Sequence, residues 1–294
     1  MIRPSSRLLT PSPLPLAALV LGCVGTPSPL APSFTGSIGV PHGGVQTSAV
    51  ELPRRGDGFV RYRSSSPHYW ANPRLVQAVQ TAAATVARQL PGGAPLIVGD
   101  LSARYGGKIS GHRSHRTGRD ADLLFYVTTP AGASLPNPGF VHFESDGLAA
   151  LEGKSAGGFV RLDLERQWLL VRTLVSSEPA AVQLMFISRA IEALLFDYAR
   201  ARGEPLELLW RAETVMLEPL DSTPHDDHIH LRIACTPEEA VYGCDGGGPY
   251  WEWLPALPAL SPLGESEFAE IAREDPFLLE ELVAEAPTAT GDGV

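Results

Sequence analysis

His228-Ile229-His230-Leu231-Arg232-Ile233 alternates an imidazole or guanidinium with an aliphatic side chain at every step. Side chains two apart on a strand share a face. The stretch therefore reads as a half-buried strand, with Ile229, Leu231 and Ile233 on the core and His228, His230 and Arg232 toward a cleft. Asp120-Ala121-Asp122-Leu123-Leu124-Phe125 repeats the device, placing Asp120 and Asp122 on one face and Ala121, Leu123 and Phe125 on the other. Two strands that each present polar ligands from one face can build a metal site on rigid elements.

Working outward, five of the eight histidines fall in two short clusters around these strands. The first is G-H-R-S-H-R-T-G-R-D-A-D (Gly111 to Asp122), with His112 and His115; the second is H-D-D-H-I-H (His225 to His230), with His225, His228 and His230. Imidazole and carboxylate ligands in such sets are what a tetrahedral Zn²⁺ site with an open fourth position requires. A single H-x-H pair is common and carries no argument, but two clusters on amphipathic strands do. If they meet in space, the chain is a metallohydrolase. A purely structural zinc is disfavoured, because such sites are rich in Cys. There is no G-x-S-x-G elbow and no H-E-x-x-H helix, and Ile109 follows Lys108 where a phosphate loop needs Ser or Thr.

The chain has 294 residues and a net charge of −10. From Glu265 to Val294 there are nine acidic residues against one arginine, so the tail holds most of that charge. The remainder is close to neutral with no basic stripe, which argues against a nucleic-acid partner. Arg3 and Arg7 precede a short apolar run, Leu14 to Leu21, that ends at Gly22-Cys23 and reads as an export signal over residues 1–23. V-L-G-C (Val20 to Cys23) resembles a bacterial lipoprotein box, with Cys23 as the lipidated residue and a membrane attachment through that lipid. A plain secretory signal cleaved a few residues later is the alternative. Without Cys23 two cysteines remain, Cys235 and Cys244, nine apart and suited to a disulfide in an oxidising compartment; two free thiols are the alternative.

Residues 24–50 are Pro, Ser, Thr and Gly with little to bury, and read as a tether. The catalytic domain is expected over 51–257 and an acidic tail over 258–294, where residues 266–286 carry enough apolar side chains for a short amphipathic helix. Within the domain, Asn72 and Pro73 open a helix whose periodicity runs to Leu90. Leu96-Ile97-Val98 reads as a strand, as do Asp120 to Val127, Val182 to Ile187, Leu206 to Trp210 and Ile229 to Ile233. A helix is expected near Gln167 to Val175, and another from Ser188 to about Arg202. Helices and strands mix without a βαβ period, so the class is α+β, with a central antiparallel sheet carrying the metal site and helices flanking it.

The two histidine clusters about a hundred residues apart resemble the penicillin-insensitive murein endopeptidase family. So do G-D-L-S (Gly99 to Ser102), Gly106-Gly107, Y-W-A-N-P-R-L-V (Tyr69 to Val76) and R-I-A-C (Arg232 to Cys235). The likeness runs from about Arg61 to Trp253 and is weakest in the middle third. That family belongs to a wider group of zinc peptidases with the D-Ala-D-Ala peptidases, lysostaphin and the hedgehog fold. The resemblance implies Zn²⁺ held by His115, Asp122 and His230, with the spacing from His115 through Gly118 to Asp122 selecting Asp122 over Asp120. It places the catalytic histidine at His228 and further site histidines at His112 and His225. Asp227 stands at the offset where the D-Ala-D-Ala dipeptidases keep a Glu base, so it is expected to share the base role or to orient His228.

The implied activity is hydrolysis of the D-alanyl–diaminopimelyl amides that cross-link peptidoglycan peptides, in the periplasm or cell envelope. The rivals are a D,D- or L,D-carboxypeptidase of the same group and a zinc-binding cell-wall module without catalysis. Arg113, Arg116 and Arg119 either meet substrate carboxylates or are simply solvated.

Overall fold

The computed structural model describes residues 35–151, 158–220 and 222–258. The expected signal, Cys23 and the acidic tail lie outside them. The fold is α+β. Its centre is a seven-stranded sheet in the spatial order Met216–Leu217, Val182–Phe186, His228–Ile233, Asp120–Leu124, Leu96–Val98, Phe59–Arg61, Arg55–Gly56. The four central strands pair antiparallel. Parallel pairs flank them, one joining Val182–Phe186 to Met216–Leu217 and the other Leu96–Val98 to Phe59–Arg61. A smaller four-stranded sheet holds Val127–Thr128, so the run expected from Asp120 to Val127 is broken after Leu124.

Helices α1 (Pro73–Gln89), α2 (Leu164–Val175), α3 (Arg189–Ala201) and α4 (Leu206–Val215) supply the apolar layer. Ala121, Leu123, Ile229, Leu231 and Ile233 are fully buried in one core with Leu75 and Val79 of α1 and Leu170 and Val171 of α2. This is the apolar face that strand alternation required, and it fixes which way the histidines point. α1 starts where its cap predicts, with the Asn72 side chain accepting a hydrogen bond from Arg74 N–H and Pro73 at the first position. The Ser188 side chain likewise caps α3.

Two expectations are corrected. Leu206 to Trp210 is helix, not strand, because its apolar spacing continues through Leu209, Ala212 and Val215, which are buried in α4. Five residues are too few to separate the two periods. The second correction concerns the tether. Gly36–Val40 and Gly43–Thr47 form an antiparallel hairpin, so the fold is already ordered from Thr35 and not only from Glu51. Polar bonds hold this hairpin: Ser37 Oγ donates to Thr117 C=O (2.7 Å) and Gln46 Nε2 to Ala103 C=O (2.8 Å). Gly44 sits where a Cβ would collide with Ile38 O and Thr117 Cγ2, so only glycine admits the approach.

Directly after the histidine strand, Cys235 and Cys244 form a disulfide around the short helix α5 (Pro237–Val241). Glu239 of α5 is buried; its carboxylate accepts from Ser37 N–H (3.0 Å), Asn72 Nδ2 (2.6 Å), Arg74 (3.0 Å) and Thr236 N–H (2.8 Å). One carboxylate thus ties together the hairpin, the start of α1 and the end of the histidine strand. Closing a loop of about ten residues stabilises by about 2–3 kcal/mol. Cys235→Ser with Cys244→Ser is therefore expected to lower Tm by about 4–12 °C in a thermal melt, with reductant giving the same shift in the unaltered chain.

Candidate metal centre

The register of the sheet brings the two polar strand faces together. His230 lies directly opposite Asp122, and Arg232 directly opposite Asp120. His115 arrives from the loop before the aspartate strand, with φ of +64°, a backbone conformation uncommon outside glycine. Gly118 (φ +73°) lets this loop turn back into the strand, where a Cβ would collide with the Gln46 side chain and Asn72 N. Leu101 C=O accepts from His115 Nδ1 at 2.6 Å, which leaves Nε2 free to face the cleft.

Three donor atoms then form a nearly equilateral triangle. His115 Nε2 and His230 Nδ1 each lie 3.2 Å from Asp122 Oδ1, and 3.3 Å from each other. A tetrahedral ion with bonds of about 2.0–2.1 Å separates its ligand atoms by about 3.3–3.4 Å. Asp122 Oδ1 is buried and makes no directed hydrogen bond, although imidazole nitrogens surround it. Nitrogens evenly spaced around an otherwise unsatisfied oxygen are arranged as co-ligands, and these residues fit a metal ion. Grouped by proximity alone, the candidates form two trios, His112–His115–Asp122 and His225–His228–His230. The triangle draws two corners, His115 and Asp122, from the first and one, His230, from the second.

Asp120 supports the triangle from below. Its Oδ1 meets His230 Nε2 at 2.8 Å and Arg232 Nε at 2.6 Å, and its Oδ2 accepts from His115 N–H at 3.3 Å. Full burial would raise this carboxyl, but Arg232 and His230 outweigh that and hold it well below the usual carboxylate range. A histidine whose second nitrogen is held by a carboxylate is oriented and made more basic as a ligand.

His112 bridges two carboxylates, with Nε2 3.3 Å from Asp100 and Nδ1 3.6 Å from Asp122 Oδ2. His228 lies on the more open side, its Nε2 3.3 Å from Asp122 Oδ1 and its Nδ1 2.5 Å from Asp227 Oδ1. Burial lowers His228, but Asp122 and Asp227 overcome it and raise the ring to about 10. A cation sharing Asp122 opposes that rise. His225 has φ of +57°, and Thr223 C=O fixes its Nδ1 at 2.8 Å. Burial, then its histidine neighbours, push it down to about 4, so it is neutral at pH 7.

The structure therefore brings all six cluster residues, with Asp120 and Asp227, into one site. It separates the arginines: Arg119 has no exposure, and its guanidinium donates to Ile233 C=O (3.1 Å) and Asp245 C=O (2.8 Å), so it braces the fold. Sequence reading did not assign Asp100, Phe140 or Phe186 to the site. Phe140 packs edge-on against His228 (5.2 Å), and Phe186 lies tilted against His230 (5.6 Å). Asp100 stood at a strand end beside a glycine-rich loop, a usable signal; Phe140 lies in a loop with no pattern to mark it.

A family model described as penicillin-insensitive murein endopeptidase matches residues 37–248. Curated proteins of that name are similar to the chain. One from Haemophilus influenzae is 27% identical over 77% of this chain and 72% of its own length. One from Klebsiella pneumoniae is 33% identical over 68% of this chain and 66% of its own length. One from Escherichia coli O9:H4 is 30% identical over 69% and 68%. The class so defined is a peptidase family acting in the cell wall. The chain belongs to the penicillin-insensitive murein endopeptidase family.

Asp120→Asn keeps the shape but removes the charge that orients His230. Affinity for a divalent cation, read by competition with a chromogenic chelator, is expected to fall by about 10–100-fold, with the far-ultraviolet spectrum unchanged.

Proposed function

We propose that the chain is a zinc-dependent DD-endopeptidase that cleaves the D-alanyl–diaminopimelyl cross-links of peptidoglycan. The observation that supports it best is the triangle of His115 Nε2, Asp122 Oδ1 and His230 Nδ1, with a further imidazole, His228 Nε2, 3.3 Å from the shared oxygen. In this reading those three residues hold the ion. Zinc with three protein ligands supplies a Lewis acid for a carbonyl and lowers the pKa of water toward about 7.

His228 is the group that moves the proton. Its Nε2 faces the site, and Asp227 holds its Nδ1, fixing the tautomer and favouring the charged ring once a proton is taken. The same imidazole then gives the proton to the leaving amine. Asp227 is thus the orienting partner of His228, and its own carboxylate is occupied at 2.5 Å. His112 Nδ1 lies 3.6 Å from the outer oxygen of Asp122, on the side away from the triangle's shared oxygen Oδ1. His225, neutral and buried, forms a wall with Phe186 and offers no competing charge. Phe140 covers one edge of His228 and limits water there.

An envelope location follows from the substrate, and the export signal with Cys23 acylated would tether the enzyme to the outer membrane. Among the described residues no helix is long and apolar enough to cross a membrane.

The test is mass-resolved chromatography of purified cross-linked muropeptide dimers after incubation with the zinc-loaded full-length protein. The expected result is two intact monomers, abolished by a chelator and restored by Zn²⁺. Release of only a terminal D-alanine would make it a carboxypeptidase, and no change at full zinc occupancy would leave a binding module. His228→Ala is expected to lower kcat by about 10²–10⁴-fold while zinc stoichiometry by mass spectrometry stays unchanged. Asp227→Asn is expected to lower kcat and shift the pH profile; a profile identical to the parent's would remove Asp227 from the mechanism.

A further inference from the structure

A cavity of about 250 Å³ opens at the other end of the central sheet. One of its lining residues, Val182, pairs near Ile233, whereas Phe186 on the same strand pairs with His230. Four strand steps, about 13 Å, separate them. None of the residues placed in the metal centre lines the cavity.

Its walls are of two kinds. Val175, Val182, Val215 and Leu254 form an apolar floor, while Arg211, Glu178 and Ser177 give it polar groups. Arg211 lends its guanidinium to the lining, and one terminal nitrogen donates to Glu207 at 3.1 Å. A guanidinium presents a fixed fork of N–H donors, so a ligand acceptor beside Glu207 can make a charge-assisted hydrogen bond. Beside the cavity stands a surface of tryptophans. Trp253 lines the cavity, meets Trp210 edge-to-face at 5.0 Å and stacks on Trp251 at 5.7 Å. Trp210 is 48% exposed. Three of the chain's five tryptophans gather here; Trp251 and Trp253 are half-buried against the core, and Trp210 leaves indole surface open to solvent, where a ligand can pack. Ala181, also in the lining, holds a left-handed φ of +46°, as His115 and His225 do in the metal centre.

The ligand chemistry follows from these groups together. It must carry a small apolar end for the valine floor, an acceptor for the Arg211 guanidinium and a donor for Glu178. An acetamido group has all three, in its methyl, its carbonyl oxygen and its N–H. A pyranose ring adds the C–H face that packs on an indole. We propose that this cavity and its tryptophan surface bind an N-acetylhexosamine unit of a glycan strand. The choice of glycan rests on the proposed function, since the polymer carrying the cross-linked peptides is built of such sugars. Enzyme held on the strand in this way meets its peptide cross-links at raised effective concentration. The chain's own acidic tail is the poorer occupant, because Glu178 in the lining repels it and Glu207 already pairs with Arg211, the cation of that lining.

The experiment uses the full-length protein and two soluble probes, chitotetraose and cellotetraose, which differ in the acetamido groups alone. Tryptophan fluorescence and calorimetry are expected to show saturable binding of chitotetraose, with cellotetraose weaker by about tenfold or more, the worth of one good hydrogen bond. Arg211→Gln and Trp253→Ala are each expected to weaken chitotetraose by a similar factor, and His228→Ala to bind it as the parent does. If Trp253→Ala fails to fold, Arg211→Gln still decides. Absence of saturable binding, equal binding of the two probes, or indifference to Arg211→Gln would overturn the proposal. So would binding that emerges only after removal of residues 259–294, which would give the cavity to the tail. Hydrolysis of sugar-free cross-linked peptides by the unaltered enzyme reads the endopeptidase assignment separately.

Discussion

A carboxylate with no exposed surface, Asp120, is the constraint from which the rest of the site follows. A buried anion is tolerated only when it is paired and hydrogen-bonded. Here the partners come from three directions: Arg232 across the sheet, the ring of His230 and the backbone of His115. Satisfying that one charge therefore fixes the register of two strands and the orientation of two imidazoles. It also explains why the aspartate strand is buried on both faces, although only one of them is apolar. Loss of Asp120 alone would leave Arg232 buried without its partner, which is more damaging than losing the pair together.

Much of this was legible in the sequence, because it rests on short-range pattern. Period-two alternation in His228–Ile233 and Asp120–Leu124 gave strand, face and ligand side at once, and both strands sit as alternation demands. Asn72-Pro73 and Ser188 marked helix starts through capping chemistry that is local by nature. Strand alternation could gather the polar side chains but not choose between Asp120 and Asp122, since both occupy the same face; only the family-like spacing from His115 through Gly118 pointed to Asp122. Their difference is geometric: one oxygen of Asp122 is left without a directed hydrogen bond, while Asp120 is fully engaged.

What escaped the sequence depends on long-range polar contacts. The hairpin over Gly36–Thr47 has the composition of a tether, and no apolar period announces it. Its stability comes from Ser37 and Gln46 meeting groups 57 to 202 residues away. Arg119 is neither substrate-facing nor solvated, for a related reason. Its neighbours in sequence are site residues, but its carbonyl partners, Ile233 and Asp245, lie more than a hundred residues on. The helix over Leu206–Val215 was missed because its first five residues fit both periods.

The separation of the triangle's corners along the chain has a consequence for how the molecule comes into being. His115 and Asp122 are near neighbours, yet the third corner, His230, reaches them only when the histidine strand inserts between Asp120–Leu124 and Val182–Phe186. That insertion joins segments far apart in sequence, so it belongs to the slow, entropically expensive part of folding. A cation that needs all three corners has little affinity for the chain until then. Its binding energy accrues to the finished state and resists unfolding in proportion to the logarithm of its concentration. On the proposed assignment, metal supply in the surrounding compartment would act as a thermostat on the stability of the folded protein.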